Sequence, residues 1–453
     1  MKTTIVIFGL TGDLGRRKLL PALRHVLATG DFDDVKIIGI SRHKVDTAEF
    51  LDQVFTGTKR SHADRASFAK LAERVSFRAM DLANDEDYLK LIKSLKIDTE
   101  NQVLFYLAVP PAAATQIVDH LGKATQKAEG LGRAKLNTPN VKILFEKPFG
   151  VDLASAKDMV KRTGRYFDGE GQIYRIDHFL AKEMAQNIVA FRGGNALFAN
   201  LWNRDFIESI DIIATENLDI QGRGVFYEQT GALRDVLQGH LMQLLALTLM
   251  NIPAKFDWNE LPKLRLKALA KIQPADPLAS RRAQYKSYAS EANHLNSPVE
   301  TFASVELFSD DEKWKNVPLR LITGKALSRK TTEIRVYLKK TREAQQNQIV
   351  FRIQPREGIA IQIFVKKPGL GREFTVENLG FNFPDDLELP DAYEQVLADA
   401  IASHHSLFTS SDEVIREWEI LDPVQKAWAM DLVPLELYDK GAKLSELLDF
   451  EQE

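Results

Sequence analysis

Apolar positions in the first 150 residues come as short unbroken runs separated by stretches with helical spacing. The runs Thr4–Phe8, Val35–Ile40, Val75–Met80, Asn101–Leu107 and Val141–Phe145 are rich in Val, Ile, Leu and Phe. Such runs mark strands buried on both faces, as in a parallel sheet. A stretch through Ala28, and those at Thr47–Val54, Asp64–Arg74 and Glu86–Leu95, read as the intervening helices. This βαβαβ rhythm predicts a Rossmann-like α/β domain, which we assign to 1–173.

Past about residue 200 the pattern changes. Ile207–Glu216 reads as a strand, and Gly231–Met250 as one long helix, apolar nearly all round and therefore buried. Period-two alternation then recurs at Leu319/Leu321, Ile334/Val336/Leu338, Ile349/Phe351/Ile353 and Ile359/Ile361/Ile363/Val365. It predicts an α+β domain over 174–453 with a large, mainly antiparallel sheet. Asp257–Ala303, dense in charge and including Arg281 and Arg282, reads as a helical solvated surface, and Leu444–Glu453 as a fraying end.

Composition narrows the class. A chain of 453 residues with 44% hydrophobic content suits two or three folded domains. A net charge of −3 supplies no global basic field for nucleic acid or a membrane. The absence of cysteine excludes disulfides, thiol catalysis and Cys-ligated metals, and no metal is expected. The apolar stretch Leu241–Met250 is half the length that spans a bilayer. Gly9, Gly12 and Asp13 interrupt the opening run before a signal peptide could form, so a cytoplasmic protein is expected.

Candidate chemistry begins at the first strand–helix turn, Gly9, Leu10, Thr11, Gly12, Asp13, Leu14 and Gly15, which would seat a diphosphate at the following helix. Its GxxGxxG spacing is less specific than GxGxxG. The second strand ends in Ser41 and Arg42 where an NAD site usually carries an acidic residue. That cation suits a 2′-phosphate, with Arg17 and Lys18 adding to the field, so NADP is expected ahead of NAD as a weaker or dual alternative. Pro110 and Pro111 end the fourth strand's ladder and leave an open crevice. Lys147, at the end of the fifth, is placed to face both cofactor and substrate. In Ile173–Arg192 a short strand leads to Asp177 and His178, with Lys182 four residues on. A His and a Lys at that spacing, on one face of the helix that Glu183–Phe191 continues, would hold a phosphate near its start.

Polar residues also interrupt segments that otherwise read as buried: Glu216, Asp235, His240 and the Asp177–His178 pair. Single polar residues of this kind are more often satisfied core groups than catalysts. Gly239 beside His240 leaves room for a ligand to approach the imidazole, and an enclosed His is a common general base near neutral pH. A carboxylate on its other nitrogen would fix the tautomer; these residues leave open which Asp supplies it.

The chain resembles the glucose-6-phosphate dehydrogenase family almost end to end. The resemblance is carried by GLTGDLGRRKLLPAL at 9–23, FEKPFG at 145–150, RIDHFLAKEMAQN at 175–187 and GALRDVLQGHLMQ at 231–243. It continues through TGKALSRK at 323–330, FRIQP at 351–355, KKPG at 366–369 and LPDAYE at 389–394. The RIDH-x-L-x-K-E motif is the most specific of these.

The resemblance implies oxidation of glucose 6-phosphate at C1 to the lactone, with hydride passing to NADP, in the oxidative pentose phosphate route. It makes His240 the general base and Asp177 its paired carboxylate. His178 and Lys182 would hold the 6-phosphate, and Glu216 and Asp235 the sugar hydroxyls. Lys147, Lys325 and Lys330 would line the substrate site. Gly9–Leu14, Arg42, Asp81, Leu82 and Lys147 would contact the dinucleotide. A homodimer or homotetramer through the C-terminal sheet is implied as well.

Three residues depart from the family pattern. Phe179 stands where the family usually has Tyr, so one hydroxyl donor to the phosphate is missing, a loss of about 1.5–3 kcal/mol if nothing replaces it. Ala181 replaces a Gly, and Gly15 stands where Ala is common. The C-terminal tail is also short. The rival readings are a sugar oxidoreductase of the glucose-fructose oxidoreductase type and a catalytically silent nucleotide-binding scaffold.

Overall fold

A computed structural model describes every residue except 33, 57–61, 96, 99, 129–139, 342–345, 385, 386, 388 and 449–453. The chain divides into two compact units. One comprises Met1–Gly150, Ala154–Ala181 and Pro390–Ser411; the other comprises Val151–Leu153, Lys182–Leu389 and Asp412–Glu453.

In the first unit the expected runs form one sheet. Its strands lie in the order Phe408–Thr409, Ile173–Ile176, Val141–Phe145, Asn101–Leu107, Lys2–Phe8, Val35–Ser41, Val75–Ala79. All pair in parallel except Phe408–Thr409, which joins antiparallel at the edge. Strand order reverses between Lys2–Phe8 and Asn101–Leu107, where Ile5 pairs with Leu104 and Phe8 with Leu107. Doubly wound sheets open a ligand crevice at such a reversal. The strands are apolar throughout because both faces are covered: Ile5, Ile7, Ile37, Leu104 and Tyr106 pack in one core with Leu20, Leu23, Val396 and Leu397. Pro110 and Pro111 do more than end a strand, since helix Pro111–Ala128 starts there.

The second unit carries nine strands in the order Phe374–Asn382, Gly358–Lys366, Gln348–Gln354, Thr331–Leu338, Ile207–Thr215, Leu319–Gly324, Phe302–Leu307, Ser280–Tyr285, Leu435–Tyr438. Pairing is antiparallel except between Ile207–Thr215 and Leu319–Gly324, and between Ser280–Tyr285 and Leu435–Tyr438. The outermost strand, Phe374–Asn382, exposes Phe374, Leu379 and Phe381.

Four expectations are corrected. The long helix Gly231–Met250 is broken twice. Gly231, with φ 62° and ψ −178°, interrupts Gly224–Ala232, and Gln238 and Gly239 interrupt Leu233–Leu241 before Met242–Leu249 resumes. The charged stretch Asp257–Ala303 is only partly helical, containing strand Ser280–Tyr285, and much of it is buried. Arg265 is fully buried against Glu413 at 2.8 Å, and Arg282 is buried with its guanidinium on Asp431 and the Val433 carbonyl; Arg281 stays exposed with Glu436. Paired guanidinium groups can leave water where lone ones cannot. Leu444–Leu447 is helical with Leu444 and Leu447 buried, so fraying there is not seen; 449–453 lie outside the described residues. Finally, His178 and Lys182 do not share a helix face. Asp177–Ala181 is a turn closed by Leu180 N–H to the Asp177 carbonyl, and the helix runs Glu183–Gly194 with Lys182 as its N-cap.

Candidate active site

The candidate residues of the first unit present mostly backbone. Gly9 sits at φ 85°, and a Cβ there would fall 2.3 Å from the Ala108 carbonyl oxygen, so the turn passes too close to the neighbouring strand end for any other residue. Gly12 N–H closes the turn onto the Gly9 carbonyl at 2.9 Å. Gly15 opens a wide helical turn, Gly15–Leu19, and its missing Cβ would lie 2.0 Å from the Leu10 carbonyl oxygen; the family's common Ala would not fit this backbone. Gly12 and Asp13 are exposed and Thr11 and Leu14 partly so, whereas the Leu10 side chain is buried, leaving only its backbone on offer.

Charge around this turn is more balanced than the sequence suggests. Arg17 pairs with Asp13 at 2.7 Å and Lys18 with Asp391 at 2.7 Å; Arg16 donates to the Thr11 carbonyl and lies over the Phe50 ring. Arg42 is exposed in the turn after Val35–Ser41, and among the described residues it has no ion-pair partner. Asp81 and Leu82 form a corner after Val75–Ala79. The Asp81 carboxylate accepts from Ala83 N–H at 3.0 Å and the Leu82 carbonyl from the Tyr88 hydroxyl at 3.0 Å. These residues fit a dinucleotide: a glycine turn with no room for a Cβ, at the reversal point of the sheet, with an uncompensated cation at the end of the second strand.

Lys147, just past strand Val141–Phe145, is half-buried and followed by a cis peptide to Pro148. Its neighbour Glu146 accepts the Tyr106 hydroxyl. Desolvation pushes the Glu146 carboxyl up to about 7, assisted by the Asp177 charge and opposed by the Tyr106 hydrogen bond. Asp177 is buried and accepts Phe179 N–H at 3.0 Å; the His178 ring packs edge-on to Phe179 and stacks on Tyr393. Phe179 itself is buried.

The candidate residues of the second unit present side chains. Strands Ile207–Thr215 and Leu319–Gly324 pair in parallel with Thr215 opposite Gly324, so the residues just beyond them emerge side by side. That placement brings the Lys325 ammonium 2.5 Å from the Glu216 carboxylate. Asp235, from the segment Leu233–Leu241 packed on both strands, adds a second carboxylate 3.7 Å from the same ammonium. The Lys325 amine also lies 5.3 Å over the Tyr227 ring. Three predicted substrate residues, Glu216, Asp235 and Lys325, are thus brought together; Lys330 is exposed just before strand Thr331–Leu338 and does not join the cluster. Tyr227 and Glu300 were not anticipated. Glu300, raised by burial, caps the helix where it restarts after Gly231, accepting Leu233 N–H at 2.9 Å.

Lys182 and His240 complete the second-unit residues. The helix start beyond Lys182 already has an anion: Met184 N–H donates to Glu357 at 3.0 Å, and burial raises the Glu357 carboxyl while the Lys182 charge opposes it. An acidic residue followed by Gly358 between two alternating strands was the only hint of that cap. His240 is buried at 6% exposure within the second break, next to Gly239 at φ 92° and ψ −88°.

No helix among the described residues is long and apolar enough to cross a membrane, and no group of three or more His, Asp or Glu side chains among them is arranged to hold a metal.

Comparison with known proteins agrees across the chain. The family model for the NAD-binding domain of glucose-6-phosphate dehydrogenase matches residues 6–187, and that for its C-terminal domain matches 189–449. A glucose-6-phosphate 1-dehydrogenase from Borreliella burgdorferi is 35% identical over 451 residues, covering 94% of this chain and 92% of its own. Glucose-6-phosphate 1-dehydrogenase 2 of Mycobacterium bovis is 34% identical over 471 residues, covering 96% and 90%. Among solved structures, a glucose-6-phosphate dehydrogenase in complex with glucose 6-phosphate superimposes with TM-score 0.87 at 30% identity, covering 98% of this chain and 95% of its own. The Mycobacterium avium glucose-6-phosphate 1-dehydrogenase gives 0.85 at 31% identity, covering 97% and 94%.

Proposed function

We propose, on the premise that this chain belongs to the glucose-6-phosphate dehydrogenase family, that it oxidises D-glucose 6-phosphate at C1 to 6-phospho-D-glucono-1,5-lactone. The observation that carries this reading is the match to both family domains, from 6 to 449, by a chain in which Glu216, Asp235 and Lys325 form one cluster.

In this reading the Gly9–Leu14 turn holds the diphosphate of NADP, Arg42 meets its 2′-phosphate, and the Asp81–Leu82 corner and Lys147 make further contacts. When bound, the nicotinamide accepts the hydride from C1. His240, a buried imidazole, takes the proton from the C1 hydroxyl, which makes C1 electron-rich as the hydride leaves. Asp177 fixes its tautomer and stabilises the imidazolium. Glu216 and Asp235 accept hydrogen bonds from sugar hydroxyls, with Lys325 holding both carboxylates in place. His178 and Lys182 bind the 6-phosphate, and Lys147 and Lys330 add positive charge to the substrate site. Because Glu357 occupies the helix N-terminus, phosphate recognition falls on these side chains rather than on the helix end.

Exposed Phe374, Leu379 and Phe381 on the sheet's outermost strand support a homodimer or homotetramer assembled through that sheet. A cytoplasmic location fits a reaction that draws on the intracellular dinucleotide pool. A steady-state assay of glucose 6-phosphate against glucose, each with NADP and NAD, tests the reading. Preference for the phosphate ester with NADP is expected; equal turnover of free glucose would favour the glucose-fructose oxidoreductase type.

A further inference from the structure

The second helix break is held open from outside. Gln238 has ψ 120° and Gly239 the conformation φ 92°, ψ −88°, so the chain leaves helical geometry over the two residues immediately before His240 and regains it at His240. Such a break abandons regular backbone bonding in a fully buried segment and persists only where its surroundings enforce it. A buried carboxylate reaches both sides of the break. The Glu417 carboxylate, from helix Ser411–Ala429, accepts Gln238 Nε2–H at 3.1 Å on one oxygen and Gln243 Nε2–H at 2.6 Å on the other. Gln238, Gln243 and Glu417 are each 0% exposed. Gln238 precedes His240 by two residues and Gln243 follows it by three, so the carboxylate ties together the two sides of the break. One turn earlier on the same helix, the equally buried Glu413 binds Arg265 and holds Glu417's helix in register with the rest of the unit.

We propose that Glu417 is a positioning residue for the C1 oxidation: by clamping Gln238 and Gln243 it fixes the backbone break from which the His240 imidazole projects. The proposal rests on His240 being the general base. A clamp of this kind acts on the reacting geometry, while Glu216 and Lys325 follow strands outside the clamped segment. Its loss therefore appears in the chemical step rather than in substrate affinity.

The test compares Glu417→Gln, near-isosteric with one acceptor oxygen fewer, and Glu417→Ala with the parent enzyme and with His240→Asn. For both Glu417 variants, kcat is expected to fall about tenfold with KM for glucose 6-phosphate and NADP within twofold. The deuterium isotope effect on kcat with C1-deuterated glucose 6-phosphate should rise, because chemistry becomes more rate-limiting. A smaller folded fraction would lower kcat without changing the isotope effect. Combining Glu417→Gln with His240→Asn should cost little more than His240→Asn alone, since the two act on one step. If Glu417→Ala does not fold, Glu417→Gln decides. Unchanged kcat, or a fall with an unchanged isotope effect, overturns the proposal. Near-normal turnover of His240→Asn would instead remove the base assignment on which it rests.

Discussion

The two units present their candidate residues in opposite ways. In the first unit, recognition is assigned to backbone at Gly9 and Gly12 and to exposed cations such as Arg42, on a sheet whose strands are apolar from end to end. In the second, it is assigned to half-buried and buried side chains, Glu216, Asp235, Lys325 and His240, delivered by two parallel strand ends and a twice-broken helix. A dinucleotide presents a repeated phosphate chain that main-chain N–H groups can meet. A sugar presents hydroxyls that only placed side chains can tell apart, and placing them requires buried charge and irregular backbone. Substitutions in the second unit should therefore weigh on chemistry and substrate, and those in the first on the choice of dinucleotide.

The sharpest break in that contrast is His240→Asn. We expect kcat to fall about 10²–10⁴-fold with binding spared, on the scale of a lost general base, in initial-rate measurements; near-normal turnover would take chemistry away from the second unit. Lys182→Ala should raise KM for glucose 6-phosphate about 10-fold or more with kcat little changed, as expected when uniform binding is removed; a fall confined to kcat would contradict the phosphate role. Arg42→Ala should reduce the kcat/KM preference for NADP over NAD about tenfold, the order of one charge-assisted phosphate contact. An unchanged ratio would move 2′-phosphate recognition elsewhere. Phe179→Tyr should lower KM for glucose 6-phosphate severalfold; equal KM values would show that the buried ring cannot present a hydroxyl to the phosphate.

The smallest effect concerns pH. The Glu146 carboxyl sits at about 7 in the folded chain, above its ordinary value of 4.5. Between these values the folded state holds more protons than the unfolded one, so this group's contribution to stability declines as pH rises from about 4.5 to 7. Glu146→Gln should therefore gain thermal stability relative to the parent as pH is raised from 5 to 8 in melting curves. A difference independent of pH would refute the shift.

Much of the first unit was legible because parallel strands write themselves as unbroken apolar runs, and Val141–Phe145 and Asn101–Leu107 appear with the expected bounds. The antiparallel strands from Leu319 to Lys366 were legible through alternation. Legibility failed where pairing decides burial. Nothing local distinguishes Arg265 and Arg282, buried on partners distant in sequence, from exposed Arg281. It failed again where one residue overrides periodicity. Gly231 and Gly239 were visible, but a helix pattern of that strength hides two breaks whose carboxylate partners, Glu300 and Glu417, lie far along the chain. Lys182 was rightly seen near a helix start, yet the turn Asp177–Ala181 that separates it from His178 was not, because no Gly or Pro marks it.

The return of Pro390–Ser411 to the first unit has a consequence for how the protein is made. Lys142, buried in a central strand, donates to the Ala400 carbonyl at 2.5 Å and the Ser403 hydroxyl at 2.7 Å, and Phe408–Thr409 supplies the strand beside Ile173–Ile176. At about 5–20 residues per second of translation, the nascent first unit waits with a bare sheet edge and a buried lysine awaiting its acceptors while the whole of Lys182–Leu389 is synthesised. The first unit's sheet is thus completed only after Lys182–Leu389 has been made, and the Ile173–Ile176 edge is unpaired for that interval.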